Sequence, residues 1–269
     1  MDTKMKKHLE ELDILGYTVV EDVLTAEEVA EVKRRITDIY ELQKEETAPF
    51  FDLTKTDENN IARAPYIYDD YFYRLLSHPT IMPYIKELLG DYFVLFGQNG
   101  VLVQPEEEHS MGRWHRDLSH MNFVCDPPLA INMFFCITDF NERTGATKVV
   151  PHSHKIGYPP SPEYLEKYGI SVNAKAGSAF FFNAMSFHKS GTNTSGETRI
   201  GLSHMYTKYI LKQQMDIPAL LDYKQPDDPF MQMLLGFGSW VPNNVLNYRK
   251  VRYEAGLQKK AKANAGNAM

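Results

Sequence analysis

The chain has 269 residues, of which 43% are hydrophobic and 24% charged, a composition typical of one large soluble domain with a buried core. Its net charge of −6 argues against a general nucleic-acid-binding surface, and no stretch approaches the roughly 18 consecutive apolar residues of a membrane helix. The first residues lack the apolar run of a secretory signal, and Cys125 and Cys136 sit among apolar neighbours, so we expect reduced thiols in a cytoplasmic protein.

The N-terminal third of the chain predicts helices and one short strand. Residues 17–20 are β-branched and aromatic, as in a strand. Thr25, with Glu28 three residues later, forms the capping-box pattern that begins a helix, and apolar residues then follow at spacings of three and four. Two shorter helices are predicted near residues 71–76 and 79–89.

From residue 92 the pattern changes to β-rich runs separated by turn residues. Because no helical segments lie between these runs, they indicate two packed antiparallel sheets. We therefore predict a mainly β fold with flanking helices and a double-stranded β-helix (jelly-roll, cupin-like) core. Residues 1–258 are predicted to form a single domain, and residues 259–269, rich in Lys, Ala and Asn, a flexible tail. The β-rich runs are residues 94–96, 100–103, 130–138, 179–182 and 199–206.

His115 and Asp117 are the first candidate metal ligands. Alternate side chains of a strand point the same way, so these two would face one metal while Arg116 faces away. His188, which follows an apolar strand and turn, is the candidate third ligand. Two imidazoles and one carboxylate form the ligand set of a non-haem Fe(II) site that leaves positions open for oxygen and a co-substrate.

Arg199 lies beyond a glycine-bounded turn and is predicted on a return strand beside the one that leads to His188. A guanidinium group there is suited to bind a carboxylate through two parallel hydrogen bonds. Ser190 and Ser203 are candidate hydroxyl donors to the same cavity, and strand alternation places His204 on the opposite face from Arg199. Four further histidines are predicted to be structural: His109, His120, His152 and His154.

Four stretches together have the spacing of a known enzyme family: Gly16-Tyr17-Thr18-Val19-Val20-Glu21-Asp22-Val23-Leu24 before a helix, Trp114-His115-Arg116-Asp117, Thr144-Gly145-Ala146-Thr147-Lys148-Val149-Val150-Pro151-His152-Ser153-His154-Lys155, and His188-Lys189-Ser190-Gly191-Thr192-Asn193 with Arg199. Over roughly residues 15–206 the chain resembles the phytanoyl-CoA dioxygenase family of Fe(II)/2-oxoglutarate-dependent oxygenases. It departs from the family pattern at Arg116, where glutamine is common, and at His152, where glycine is common.

The resemblance implies a reaction in which O2 and 2-oxoglutarate are consumed, succinate and CO2 are released, and a C–H bond of a small molecule is oxidised, most simply by hydroxylation. Related halogenases have a small residue in place of Asp117, so the carboxylate indicates an outcome other than halogenation. The implied roles are Fe(II) binding by His115, Asp117 and His188, binding of the distal 2-oxoglutarate carboxylate by Arg199 and Ser190, and lining of the co-substrate or substrate pocket by Asn132 and Gln98.

The substrate is less well indicated than the chemistry. The family accepts acyl-CoA thioesters, amino acids and secondary metabolites. A CoA ester would favour a basic mouth, whereas this chain is acidic without a dense Lys/Arg cluster near the motifs, so a small molecule or natural-product intermediate is favoured. Two aromatic stretches, residues 66–73 and 230–240, are candidate lids or ordinary packing segments. Nothing in the sequence indicates an oligomeric state.

Three alternative functions use the same residues. Residues 115–122 match the protein-kinase pattern H-R-D-L-x-x-x-N, but the chain has no glycine-rich loop before them and no D-F-G triplet after them, so this match is interpreted as coincidence. A binding protein of the same fold without catalysis is the second alternative. A zinc-dependent hydrolase is the third, although it would have no need of Arg199 at its offset.

Overall fold

The computed structural model describes residues 2–107, 110–118, 122–239 and 241–266. The N-terminal segment contains two long helices, and the second begins where the sequence predicts. Gly16, with φ of +86°, ends the first helix, and the Thr25 capping box, with the Glu28 side chain returning to the Thr25 backbone, begins the second. The helices are α1 (Thr3–Leu15), α2 (Ala26–Thr47), α3 (Pro65–Tyr68), α4 (Asp70–Leu75), α5 (Met82–Leu89), α6 (Pro162–Tyr168), α7 (Ile217–Leu220), α8 (Pro229–Leu234) and α9 (Val245–Gly266).

The strands form two antiparallel sheets among the described residues. The main sheet has six strands in the order β1-β7-β4-β9-β3-β2, and the minor sheet has three in the order β6-β5-β8. Strands that pair in the main sheet are mostly distant in sequence. The N-terminal strand β1, for example, pairs with β7. The strands are β1 (Tyr17–Val20), β2 (Ile61–Arg63), β3 (Phe93–Val103), β4 (Ala130–Cys136), β5 (Lys148–Val149), β6 (Ile170–Ser171), β7 (Ala179–Asn183), β8 (His188–Lys189) and β9 (Arg199–Lys208).

The main sheet separates two apolar layers, and strand alternation assigns each side chain to one of them. On β4, Met133 and Phe135 pack into the large core beneath the helices. Phe134 packs on the other face with Phe180 and Phe182, in the layer between the two sheets. A cavity in this second layer is therefore closed on one side by the main sheet and on the other by the minor sheet.

Residues 217–253 contain four prolines and scattered apolar residues, a pattern that predicts irregular cover with short helices. The first part of this segment fits that prediction, since α7 and α8 are short and the buried Ile217 and Leu234 join the large core. The helix α9 is longer than expected and continues to Gly266, so the segment predicted as a flexible tail from residue 259 begins inside a helix. In the part of the chain that is described, no helix combines the length and apolar character needed to span a membrane.

Candidate metal centre

His115 and His188 are joined through their backbones. Each backbone N–H donates to the carbonyl oxygen of the other residue at 3.0 Å, which forms an isolated antiparallel bridge. His115 therefore lies on a single bridge position and not on the longer strand that its spacing suggested, because the preceding residues turn through a short 3-10 helix at Ser110–Gly112. The bridge still brings the two imidazole rings to a centroid distance of 4.3 Å.

Asp117 completes a cluster of three ligand-type side chains. Its backbone N–H donates to the Ala184 carbonyl at 3.0 Å, which places the carboxylate beside His188. The distance from Asp117 Oδ1 to His188 Nε2 is 3.4 Å. One ligand atom from each of His115, Asp117 and His188 lies within 4.8 Å of the other two. The structure thus brings together the three residues predicted as metal ligands.

The other ring nitrogen of each histidine contacts a backbone carbonyl. Nδ1 of His115 lies 2.8 Å from the Arg113 oxygen, and Nδ1 of His188 lies 2.9 Å from the Ser186 oxygen. A protonated Nδ1 donates in both contacts and leaves Nε2 deprotonated, which is the form that binds a metal. The donor set fits a divalent transition metal that accepts imidazole and carboxylate ligands.

The shifted pKa values of two of the three side chains favour metal binding. Burial on its own would raise the pKa of Asp117, but the adjacent His188 and His115 and the donor Asn132 hold it below its ordinary value. Burial and the neighbouring His188 lower the pKa of His115. Burial also acts to lower the pKa of His188, but the carboxylate of Asp117 outweighs it and raises that pKa. The carboxylate is therefore ionised, and His188 is the ring that competes with a metal for a proton.

Arg199 is buried at 2% exposure without a carboxylate partner among the described residues. Its Nη2 donates to Ser190 Oγ at 3.0 Å, and its guanidinium packs over the Phe140 ring at 4.5 Å. Nε and Nη1 have no hydrogen-bond partner in the described part of the chain. Burial lowers the pKa of Arg199 to about 10, so the group remains charged at neutral pH. A buried cation is costly without an anion, so this arrangement fits a bound carboxylate.

One cavity, of about 200 Å³, contacts both the three-residue cluster and Arg199. Its remaining wall is apolar at Phe96, Met111 and Met205, polar at Asn99 and Gln214, and basic at Arg63 and Lys189, which pair with Glu58 and Glu166. The volume is small, so the site suits a compact co-substrate beside part of a second molecule.

Asn132 and Ser203 reach the cluster from two neighbouring strands of the main sheet. Asn132 Nδ2 donates to Asp117 Oδ2 at 3.0 Å, and Ser203 Oγ donates to Asn132 Oδ1 at 2.8 Å. Both line the cavity, as predicted for Asn132 from the resemblance and for Ser203 from its strand position. The contact of Asn132 with the candidate ligand Asp117 was not predicted.

Gln98 does not reach the cavity, which corrects the prediction that it lines the pocket. It is fully buried on the opposite face, where its Oε1 accepts from Tyr66 N and its Nε2 donates to Phe72 O, both at 3.1 Å. A β-bulge between Leu95 and Gly97 sets the register, so that Gln98 pairs with His204 and Asn99 with Ser203. Asn99 is therefore a cavity residue that the sequence did not indicate.

The remaining histidines follow the structural prediction where they are described. His204 lies on the far face from Arg199, within 2.6 Å of Gln98 Nε2. His152 Nδ1 lies 2.7 Å from the Ile14 oxygen, and His154 Nε2 lies 2.9 Å from the Asp13 oxygen, so both contact the end of α1. His109 and His120 lie outside the described residues.

The two aromatic stretches considered as lids lie away from the cavity. None of their described residues lines it. Tyr66 and Phe72 belong to the large core on the helical side of the main sheet, and Phe230 packs against that core. Ordinary packing is therefore the better interpretation of these segments; Trp240 lies outside the described residues.

Comparisons with known proteins show the family of the chain. The family model for phytanoyl-CoA dioxygenase (PhyH) matches residues 13–201. The uncharacterized protein Rv1501 of Mycobacterium tuberculosis (strain ATCC 25618 / H37Rv) is 31% identical over 252 residues, which cover 92% of each chain. The dioxygenase olcK of Penicillium canescens is 31% identical over 186 residues, 63% of this chain and 58% of that one.

A solved structure confirms the predicted fold class. The epimerase SnoN, crystallised with Fe3+, alpha ketoglutarate and nogalamycin RO, matches with a TM-score of 0.58 at 21% identity. The match covers 84% of this chain and 93% of SnoN. The two-sheet arrangement is therefore the cupin-like jelly-roll core with flanking helices that the sequence predicts.

Proposed function

Because the chain belongs to the phytanoyl-CoA dioxygenase family and is an Fe(II)/2-oxoglutarate-dependent dioxygenase, we propose that it hydroxylates a C–H bond of a small molecule. In this proposal His115, Asp117 and His188 hold Fe(II), and Arg199 and Ser190 hold the distal carboxylate of 2-oxoglutarate. Succinate and CO2 are the coproducts.

The unpaired guanidinium of Arg199 is the observation that carries the assignment. Two of its nitrogens lack partners among the described residues, and the side chain lines the same cavity as the three-ligand cluster. A zinc hydrolase has no need of a buried cation at this place. A dicarboxylate that spans the distance from Arg199 to a metal at the cluster satisfies both features, which supports 2-oxoglutarate as the occupant.

Bound Fe(II) and 2-oxoglutarate supply the oxidising chemistry, with O2 as the oxidant. The residues of the chain position the reactants and shield them from water. The two Nδ1 contacts orient the imidazoles, Arg199 and Ser190 fix one end of the co-substrate, and the apolar wall at Phe96 and Phe134 excludes water. Because Asp117 occupies the position that halogenases leave to a halide, hydroxylation is the favoured outcome.

The cavity supports a small-molecule substrate. Its wall combines the apolar Phe96, Met111 and Met205 with the carboxamides of Asn99 and Gln214, so it suits a mainly apolar body that carries a hydrogen-bonding group. The chain is acidic at −6 overall, and the two basic residues of this wall, Arg63 and Lys189, are already paired with glutamates, so the site does not favour the polyphosphate of a CoA ester. A natural-product intermediate with these features is therefore the type of substrate that we propose.

The experiment is an anaerobic titration of the metal-free protein with Fe(II) and then with 2-oxoglutarate, followed by visible absorbance. We expect a weak charge-transfer band that needs both components and is lost in His188→Ala. His152→Ala is the matched control, since His152 contacts the α1 carboxyl end and not the cavity, and it should keep the band. A folded wild-type protein without the band would reject the proposal in favour of the binding-protein or zinc-hydrolase alternative.

A further inference from the structure

We propose that Asn132, oriented by Ser203, is a positioning residue that makes Asp117 bind the metal through one oxygen and so keeps a coordination position open for O2. The inference rests on the proposed function, because it assumes a metal at the cluster. It assigns to Asn132 a task different from contact with the co-substrate or substrate.

The two oxygens of Asp117 have different surroundings. Oδ1 lies 3.4 Å from His188 Nε2 and so points to the same place as the imidazole ligand atom. Oδ2 accepts the hydrogen bond from Asn132 Nδ2 at 3.0 Å. A carboxylate oxygen has about two lone-pair sites, and this bond takes one of those on Oδ2, which favours Oδ1 as the ligand atom.

Ser203 fixes which end of the Asn132 carboxamide meets the carboxylate. Its hydroxyl donates to Asn132 Oδ1 at 2.8 Å, so the amide nitrogen is the end that remains for Asp117. The two residues are diagonal neighbours on adjacent strands, since Ser203 pairs with Phe134 and Asn132 with Met205. Both Asn132 and Ser203 are 7% exposed, so water competes little for these bonds.

The arrangement matters because the 2-His-1-carboxylate set works by leaving positions open. A carboxylate that rotated to bind through both oxygens would take one of the positions that 2-oxoglutarate and O2 need. With Oδ2 engaged by Asn132, that rotation breaks a charge-assisted hydrogen bond in a buried site. Asn132 therefore contributes both to metal affinity and to the free position.

The test compares Asn132→Leu, Ser203→Ala and Ser203→Thr with the wild type under anaerobic conditions. Fe(II) affinity is measured by titration, and nitric oxide serves as the probe for the open position of the Fe(II)–2-oxoglutarate complex, read by electron paramagnetic resonance. Asn132→Leu should weaken Fe(II) binding by about tenfold or more and weaken nitric oxide binding as well. Ser203→Ala should give a smaller loss of both, and Ser203→Thr, which keeps the hydroxyl, should resemble the wild type.

The outcomes separate this inference from the proposed function. A wild-type protein that binds no Fe(II) rejects the proposed function. A wild-type protein that forms the complex, with both affinities unchanged in folded Asn132→Leu and Ser203→Ala, rejects the role of Asn132 alone. Weaker Fe(II) binding with unchanged nitric oxide binding rejects the open-position part. If Asn132→Leu does not fold by circular dichroism, equal behaviour of Ser203→Ala and Ser203→Thr overturns the inference.

Discussion

Gln98 and His204 face each other across β3 and β9, with 2.6 Å between their Nε2 atoms, on the face of the main sheet opposite the metal centre. The Gln98 amide donates to the imidazole, so the other ring nitrogen carries the proton and donates to the Tyr206 hydroxyl at 3.1 Å. That hydroxyl in turn donates to the Leu76 carbonyl at 3.0 Å. The network is complete with a neutral His204 and has no place for a second ring proton.

The first prediction is that His204 makes the protein sensitive to acid. Burial lowers its pKa to about 3, whereas an unfolded histidine titrates near about 6.5. The unfolded chain therefore takes up the proton first, so the contribution is complete above pH ~6.5 and is lost as the pH falls toward ~3. Between pH 7 and pH 5 the wild type should lose about 2 kcal/mol more unfolding free energy than His204→Gln, measured by urea denaturation. Equal losses in the two proteins would contradict the assignment.

The second prediction concerns the binding of 2-oxoglutarate by Arg199. Lysine keeps the charge but lacks the forked donors, so Arg199→Lys should raise the KM for 2-oxoglutarate by about tenfold to a hundredfold. In succinate-release assays kcat should change less than KM. Ser190→Ala removes one contact of 3.0 Å and should have a smaller effect in the same direction.

A second measurement on the same variants does not depend on turnover. The thermal midpoint of the metal-loaded wild type should rise with 2-oxoglutarate, because a ligand that binds only the folded state stabilises it. Arg199→Lys should need a correspondingly higher concentration of 2-oxoglutarate for the same rise in thermal midpoint. An unchanged KM and an unchanged thermal response would show that Arg199 does not contact the co-substrate.

The third prediction concerns Gly16, which lies close to Ser186, the residue whose carbonyl contacts the His188 ring. A Cβ at this position would lie 2.5 Å from His154 Nδ1 and 2.6 Å from Ser186 Oγ, and the Ser186 carbonyl is the acceptor for His188 Nδ1. Gly16→Ala should therefore destabilise the fold by about 2–4 kcal/mol, from backbone strain and overpacking together, and weaken Fe(II) binding.

Gly196→Ala is the matched control for Gly16→Ala. Its φ of +80° is similar, but nothing lies within 4 Å of the added Cβ. It should cost only the backbone strain, about 1–2 kcal/mol, and leave Fe(II) affinity unchanged. Equal destabilisation by the two substitutions in thermal or urea denaturation would mean that the contact of Gly16 with His154 and Ser186 is unimportant.

The metal cluster was predictable from the sequence, whereas its surroundings were predictable only in part. His115 and Asp117 are two residues apart, so alternation along the chain can bring them together, whereas His188 is distant in sequence and was indicated by the apolar strand before it and by the family resemblance. Gln98 and Asn99 are adjacent in sequence and lie on opposite faces. Which of them faces the cavity depends on one bulge, and a shift of one residue exchanges the faces.

The contact between Asn132 and Asp117 had a different obstacle. To predict it, one must know the register of β4 in the sheet and the position of the segment that carries Asp117, which lies outside the sheet. Neither is encoded by a local pattern. The resemblance indicated correctly that Asn132 lines the pocket, but only the packed structure shows which atom it contacts.

The pairing of β1 with β7 has a consequence for how the chain is made. Tyr17 in β1 pairs with Phe182 in β7, which is synthesised much later, so β1 leaves the ribosome long before its partner strand exists. Until β7 is synthesised, the backbone of β1 has no partner strand and can pair with other chains. The sheet and the metal centre therefore form late in synthesis, after an interval in which the nascent chain is prone to aggregation.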